Sequence, residues 1–333
     1  MTTPSAILVT GGAGFIGSHA CKALHAAGFN PVSVDNLSTG NADAVRWGPL
    51  ILADVRDRAA MDKAIHNHAV VAVMHFAASA YVGESMVDPA KYHDNNIGGM
   101  IALLDVCRST GIDRLVLSSS CATYGLTGNA PIIESTPQQP INPYGRTKLI
   151  CEQLLLEQAA AYGLRMAILR YFNAAGADPD GELGERHSPE THLIPLALLA
   201  AAGKRAALDV YGTDYDTPDG SCVRDYIHVD DLARAHVMAL SNLMRGGDGL
   251  VLNLGSGRGV SVLEVASAVQ RVTGRAVPMN LMARRLGDPP ILIADCGLAA
   301  RSLGFQPRLA QIDTIIRHAA PWFGHEVRHA DAA

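Results

Sequence analysis

A glycine-rich run, Thr10-Gly11-Gly12-Ala13-Gly14-Phe15-Ile16-Gly17, follows an apolar stretch at 6–9 and precedes an apolar helical pattern at 18–27. Backbone approaches a pyrophosphate closely only where side chains are missing. A helix that starts at such a turn aims its unpaired N–H groups and positive dipole end at the phosphates. Strand, glycine turn and helix in that order constrain the chain more than the glycines alone. About 20 residues further on, the usual spacing for such a group, Asp35 ends a second short apolar run at 32–34. An acidic residue there accepts hydrogen bonds from the ribose hydroxyls of an adenosine and repels a 2′-phosphate. No Arg or Lys lies between Asp35 and Val45. Together these signals point to a bound dinucleotide, NAD rather than NADP.

The first half of the chain repeats the same rhythm. Apolar runs at 7–9, 32–34, 50–52, 71–75, 114–118 and 166–170 alternate with helical patterns that include 61–68, 100–110 and 144–162. This predicts an α/β fold with a doubly wound parallel sheet of Rossmann type, covered on both faces, with ligands at the C-terminal edge of its strands. After Gly176 the character changes. Polar, Pro- and Gly-rich segments at 178–191 and 212–220 read as loops of a smaller lobe, yet 251–254 reads as one more core strand. The expected organisation is therefore a dinucleotide-binding domain over 1–176 with returns near 228–256. A smaller interleaved substrate-binding lobe covers mainly 177–325, and 326–333 is a frayed tail.

Composition narrows the function classes. With 333 residues, 48% of them hydrophobic, the chain can bury a large core. A net charge of −5 without charge blocks argues against a nucleic-acid surface. The N-terminus lacks a basic flank, and the longest apolar stretch, 193–202, is too short to span a bilayer, so a cytoplasmic location without membrane association is expected. The six cysteines are scattered without close pairs, which argues for a reducing compartment and against a zinc site. Only His325 and His329 show H-x-x-x-H spacing, with no evident third ligand, so no metal is expected.

The most specific chemical signal is Asn142-Pro143-Tyr144-Gly145-Arg146-Thr147-Lys148. Asn142 is a good N-cap and Pro143 suits a first helical turn. Tyr144 and Lys148, four apart, project from one helix face. An ammonium beside the phenol is expected to lower its pKa from about 10 toward neutrality, giving a base for a hydroxyl proton. Upstream, the strand at 115–117 runs into Ser118-Ser119-Ser120-Cys121. Ser120, and next Ser119, is the expected partner for a substrate oxygen.

The glycine turn, the serine run and the Tyr-Gly-Arg-Thr-Lys segment resemble the extended short-chain dehydrogenase/reductase family. Further segments resemble its UDP-glucose 4-epimerases: Asp35-Asn36-Leu37, His75-Phe76-Ala77-Ala78, Val82-Gly83-Glu84-Ser85, Arg170-Tyr171-Phe172-Asn173, the run 220–229 around Arg224-Asp225-Tyr226, and Arg284-Arg285-Leu286-Gly287-Asp288. The matches run from residue 7 to about 290.

That resemblance implies NAD-dependent epimerisation of UDP-galactose and UDP-glucose at sugar carbon 4, through a 4-keto intermediate. Tyr144 would be the base, Lys148 its electrostatic partner, and Ser120 a second contact to the 4-hydroxyl. Gly11, Gly14, Phe15, Ile16, Gly17, Asp35, Asn36, Asp54, Val55, Phe76, Ala77, Ala78, Asn95 and Phe172 would line the cofactor, with Tyr144 and Lys148. Asn173, His192, Leu193, Leu208, Tyr211, Arg224, Tyr226, Arg285, Asp288 and Leu292 would face the UDP-sugar, with Ser120 and Tyr144. A homodimer pairing the helices at 100–110 and 144–162 is also implied. Three positions depart from the family pattern. Ala80 stands where many relatives carry Lys, His192 where many carry Asn, and Leu292 at a position that gates sugar size. UDP-xylose, UDP-arabinose and UDP-N-acetylhexosamine remain alternative substrates. A 4,6-dehydratase is disfavoured, because Cys121 and Ala122 stand where it needs an acid and a base.

Overall fold

The computed structural model describes residues 4–285 and 287–327. The six apolar runs form β1 (Ala6–Thr10), β2 (Asn30–Asp35), β3 (Leu50–Leu52), β4 (Val70–His75), β5 (Arg114–Ser120) and β6 (Arg165–Tyr171). Later strands are β7 (Asn173–Ala175), β8 (Leu208–Tyr211), β9 (Val223–His228), β10 (Leu250–Leu254), β11 (Gly259–Ser261), β12 (Met279–Met282) and β13 (Ile291–Leu292). The helices are α1 (Phe15–Ala26), α2 (Arg58–His68), α3 (Val82–Val87), α4 (Pro89–Tyr92), α5 (Gly99–Thr110), α6 (Pro143–Tyr162), α7 (Leu193–Ala201), α8 (Val229–Met244), α9 (Val262–Thr273), α10 (Gly297–Leu303) and α11 (Ile312–Ala319). No helix among the described residues is long and apolar enough to cross a membrane.

A seven-stranded sheet runs β10-β6-β5-β4-β1-β2-β3, and every neighbouring pair is parallel. Successive strands step to one side from β1 to β3, then cross to the other from β4 onward. The crevice at this reversal is where such sheets bind ligands. Side chains alternate across the pleat. Leu8, Val32 and Val73 pack against α2, α5 and α6 on one face; Ile7, Val9, Ala72 and Met74 pack against α1, α8 and α10 on the other. Burial on both faces accounts for strands that read as unbroken apolar runs.

The expected core strand at 251–254 is β10, which extends the sheet beside β6. Beyond the large sheet, β9 pairs with β7, β11 and β13, while β8 pairs with β12. Helices α7, α9 and α11 close a separate core around Leu198, Val210, Val265 and Ile315. Val327 still packs against that core, so the chain is held further than the expected tail boundary. The rest of that tail, 328–333, lies outside the described residues, as does Leu286.

Local chemistry fixes the start of α6. Asn142 Oδ1 accepts from Gly145 N at 2.8 Å, and Pro143 occupies the first turn, as the sequence predicts. A Cβ on Gly145 would lie 2.3 Å from Ala122 O. The absent side chain lets α6 press against the turn after β5, which carries Tyr144 toward Ser120.

Candidate active site

Backbone builds the first part of the site. Gly11 has φ +73°, and a Cβ there would lie 2.7 Å from Ala77 N. A Cβ on Gly17 would lie 2.1 Å from Gly11 O. The glycine turn, the first turn of α1 and the Phe76-Ala77-Ala78 segment therefore close into one cradle. Gly14 is the N-cap of α1 and supplies no side-chain bond, leaving the first-turn N–H groups at Phe15 and Ile16 uncapped. The Asp35 carboxylate accepts from Ala13 N at 3.0 Å and Leu37 N at 2.8 Å, so the cradle itself orients it.

Neighbouring expected residues form a fringe around that cradle. Asn36 Nδ2 donates to Asp54 Oδ2 at 3.0 Å, and Val55 is buried. The Arg56 guanidinium donates to both Asp54 oxygens at 2.8 Å and holds that carboxyl well below the usual range. Phe76 N donates to Thr10 O at 2.9 Å, and its ring leans on His236. Asn95 Nδ2 donates to Ser79 Oγ at 3.2 Å. Its neighbour Asn96, which sequence reasoning passed over, donates to Ser79 O and Thr147 Oγ1 at 3.0 Å. Asn96 thereby ties the segment after β4 to α6; only its place in the fold reveals this.

The three serines that end β5 have separate tasks. Ser118 Oγ bonds Tyr171 Oη at 2.7 Å. Ser119 Oγ donates to Glu152 in a short bond, and Glu152 forms a buried ion pair with Arg170 at 2.7 Å. Ser119 is thus absorbed by a structural network. Ser120 Oγ accepts from Ala122 N at 3.1 Å and acts on the Tyr144 hydroxyl.

Tyr144 and Lys148 are both buried on the face of α6 turned to the sheet. Lys148 Nζ donates to Ser118 O at 2.9 Å and lies 6.0 Å from the centre of the Tyr144 ring. The expected fall in the Tyr144 pKa is not what the protein's own groups produce. Burial, then the nearby Tyr171, pushes the phenol up, and the Ser120 hydrogen bond opposes them only in part. Burial also lowers the Lys148 pKa. Desolvation disfavours both charged forms, and outweighs the lysine effect expected from spacing alone. Phe172 and Leu292 lie beside this centre, in a small cluster with Cys121, Tyr124 and Ile132.

The remaining expected residues come from the loops and strands beyond β6. Asn173 Nδ2 donates to Asp225 O at 2.7 Å. Arg224 and Asp288 form a short ion pair. The Arg285 guanidinium lies 3.8 Å from the centre of the Tyr211 ring, so arginine already covers one face of that aromatic. An open cavity of about 560 Å³ adjoins Arg285 and Asp288, and Tyr215 also lines it. The side chains of Leu208 and Tyr226 are 1% and 5% exposed and lie in the smaller core. On β8 the pleat sends Leu208 and Val210 inward and Tyr211 to the opposite side. Leu193 begins α7 and His192 is its N-cap.

Sequence reasoning also missed a group around His192. Glu185, His187, Glu190 and His192 gather on the loop before α7, with one donor atom of each within 4.8 Å of the others. The His187 ring stands edge-on to Phe15 at 6.3 Å and to Tyr81 at 5.8 Å, so the loop reaches the glycine cradle. Burial disfavours a charged His187, but Glu185 and Glu190 outweigh it and raise its pKa to about 9. The spacing 185, 187, 190, 192 matches no simple helical or strand repeat. Of the pair weighed in sequence, His325 is buried with Nε2 2.8 Å from Leu198 O, and His329 lies outside the described residues.

Comparison with known proteins agrees with this geometry. The NAD dependent epimerase/dehydratase family model matches residues 7–255. A UDP-glucose 4-epimerase of Rhizobium meliloti is 50% identical over 323 residues, covering 97% of this chain and 98% of its own. The solved UDP-glucose 4-epimerase from Brucella ovis, in complex with NAD, superposes with a TM-score of 0.96 at 59% identity, covering 97% of this chain and 100% of its own. The UDP-glucose-4-epimerase from Stenotrophomonas maltophila, with bound NAD and formylated UDP-arabinopyranose, gives 0.93 at 42% identity, covering 96% and 98%.

Proposed function

We infer, from the premise that this chain belongs to the NAD dependent epimerase/dehydratase family, that it interconverts UDP-glucose and UDP-galactose at sugar carbon 4 with bound NAD. The residues present fit that cofactor: the side-chain-free cradle at Gly11 and Gly17 and the uncapped start of α1 suit a pyrophosphate, and Asp35 suits an adenosine ribose. Bound there, NAD would supply reversible hydride acceptance at carbon 4, with no net redox change.

Tyr144 removes the proton of the sugar 4-hydroxyl and gives it back after the 4-keto sugar has turned over. Its buried phenol resists ionisation on its own. Proton removal therefore depends on positive charge supplied locally, from Lys148 and from the oxidised nicotinamide. Ser120, already acting on the Tyr144 hydroxyl, holds the same substrate oxygen. Arg224 and Arg285 neutralise the diphosphate, Asn173 bonds it, and Asp288 holds the uridine ribose. Because Arg224 and Asp288 hold each other, ligand binding exchanges one partner for another. A firmly held nucleotide and a loosely held hexose let the keto sugar present its opposite face.

The observation that supports this reading is the meeting of Tyr144 and Ser120 beside the cradle, with Lys148 behind them. Proton NMR of the purified protein with UDP-galactose, without added NAD, tests it. Growth of UDP-glucose toward a fixed ratio is expected; a 4-keto-6-deoxy product would overturn the reading in favour of dehydration. Leu292 beside the catalytic centre supports preference for hexoses without an N-acetyl group. Comparable turnover of UDP-N-acetylglucosamine would refute that preference.

Two coarser aspects are part of the same proposal. Residues 1–176, with α8 and β10, serve the cofactor, and most of 177–325 serves the UDP-sugar. A homodimer forms across α5 and α6, where Ile101 and Leu156 are exposed beside a groove lined by Leu104 and Leu154. A sedimentation mass of one chain would refute the dimer.

A further inference from the structure

The loop before α7 carries a second concentration of chemistry, of which only His192 is also expected to face the UDP-sugar. Glu185 is 2% exposed and Glu190 8% by side chain, an unusual place for two carboxylates. Glu190 Oε1 accepts backbone N–H bonds from Thr191 at 2.7 Å and His192 at 2.9 Å, which fixes the carboxylate plane. Its other oxygen, Oε2, is buried and has no hydrogen-bond partner. It points into the group, 3.6 Å from His187 Nδ1, which also has no hydrogen-bond partner.

The donor spacing suits a small tetrahedral ion. Bonds of about 2.0–2.1 Å to nitrogen and oxygen place neighbouring donors of a tetrahedron about 3.3–3.4 Å apart. Here Glu185 Oε1 lies 3.2 Å from His187 Nδ1, and His187 Nδ1 lies 3.6 Å from Glu190 Oε2. His192 Nδ1 lies 3.6 Å from the other Glu190 oxygen, Oε1, so it too stands beside this carboxylate. The His192–Glu185 contact, at 2.5 Å, is tighter, and an ion bound between those atoms would part them. Two carboxylates and two neutral imidazoles carry two negative charges, which a dication cancels. Half of the His192 side chain is exposed, which gives an ion its way in.

We propose that Glu185, His187, Glu190 and His192 form a closed, four-coordinate site for a divalent transition-metal ion of the zinc type. Mixed imidazole and carboxylate donors select such an ion over magnesium or calcium, which take oxygen alone. With four protein ligands, the site is structural rather than catalytic. It staples the loop 185–192 to the start of α7 and, through the contacts of His187 with Phe15 and Tyr81, to the edge of the glycine cradle. The nearby acidic group of Asp178, Asp180 and Glu182 differs: it lacks nitrogen donors, and Lys22 Nζ already fills it at 2.7–2.8 Å.

Calorimetric titration of the chelator-treated full chain with Zn²⁺ alone tests this. One ion per chain is expected, with at least tenfold weaker binding in both Glu190→Gln and His187→Gln. Titration of the unaltered chain with Co²⁺ gives an independent reading that needs no variant. An intense visible band of tetrahedral Co²⁺ is expected and is displaced by Zn²⁺. Absence of stoichiometric Zn²⁺ binding, binding that survives both substitutions, or only the weak band of octahedral Co²⁺ would each overturn the site.

Discussion

The glycine cradle presents backbone atoms already fixed by the fold, whereas Arg224, Asp288, Arg285 and Tyr211 are long side chains that hold one another. The first region has nothing to rearrange before a phosphate arrives. On the proposed reading, the second gives up an ion pair and a cation–aromatic contact in exchange for ligand. On that reading, the contrast would let one protein keep a cofactor through many turnovers and release a chemically similar nucleotide after each.

Tyr144 stands between these regions, and its replacement is the largest break. Tyr144→Phe is expected to lower kcat by about 10²–10⁴-fold, the usual contribution of a positioned acid–base group. Binding of UDP should stay unchanged. Full turnover in this variant would remove Tyr144 from the chemistry.

Gly17→Ala tests the rigid side. A methyl group 2.1 Å from Gly11 O forces the turn apart, with a cost of about 1–3 kcal/mol in stability. The variant should be purified with little NAD, as read from absorbance after denaturation. A normal NAD content would show that the cradle yields more easily than its geometry implies.

Arg224→Ala tests the exchangeable side. Hydrogen bonds to charged groups are worth about 1.5–3 kcal/mol, so KM for UDP-galactose should rise at least tenfold while NAD content holds. Loss of NAD here would erase the distinction between the regions.

Stability should also be pH-dependent on the cofactor side. Burial lowers the pKa of His75 from 6.5 to about 3 and of His236 from 6.5 to about 4. Below pH 6.5 the unfolded histidines bind protons that the folded ones refuse, so stability falls as pH drops through 6.5 toward 4. The slope is at most about 1.4 kcal/mol per pH unit for each histidine. Equal urea midpoints at pH 7.5 and 5.0 would contradict this.

The smallest effect is expected at Arg285. Arg285 is exposed, so solvent screens its share in neutralising the diphosphate, and Arg285→Ala should raise KM only a few-fold. An effect as large as that of Arg224→Ala would place both arginines equally on the diphosphate.

Legibility in the sequence follows the same divide. The strands of the large sheet are continuous apolar runs, and Asn142, Pro143 and Gly145 announce the start of α6 by local chemistry. Residue spacing along a helix placed Tyr144 and Lys148 on one face. It could not convey the depth of burial that reverses the expected shift at Tyr144. Nor could it apportion Ser118, Ser119 and Ser120, since their partners Tyr171 and Glu152 come from other elements. Strand alternation, which the short run at 208–211 does not announce, turns the Leu208 side chain into the smaller core. The Glu185–His192 group follows no repeat because a loop, not a helix, gathers it.

The path of the chain between its two cores has a consequence for inheritance. It leaves the large sheet after β6, comes back as α8 and β10, and leaves again for β11 and α9. Asp225, buried on β9, accepts bonds from Ser256, Gly257 and Ala294 and so laces these passages together. No single pair of cuts frees the smaller lobe, and a gene fragment encoding it alone lacks its own boundary. Recombination therefore cannot exchange this lobe as a ready-made piece, and change within it has to proceed residue by residue.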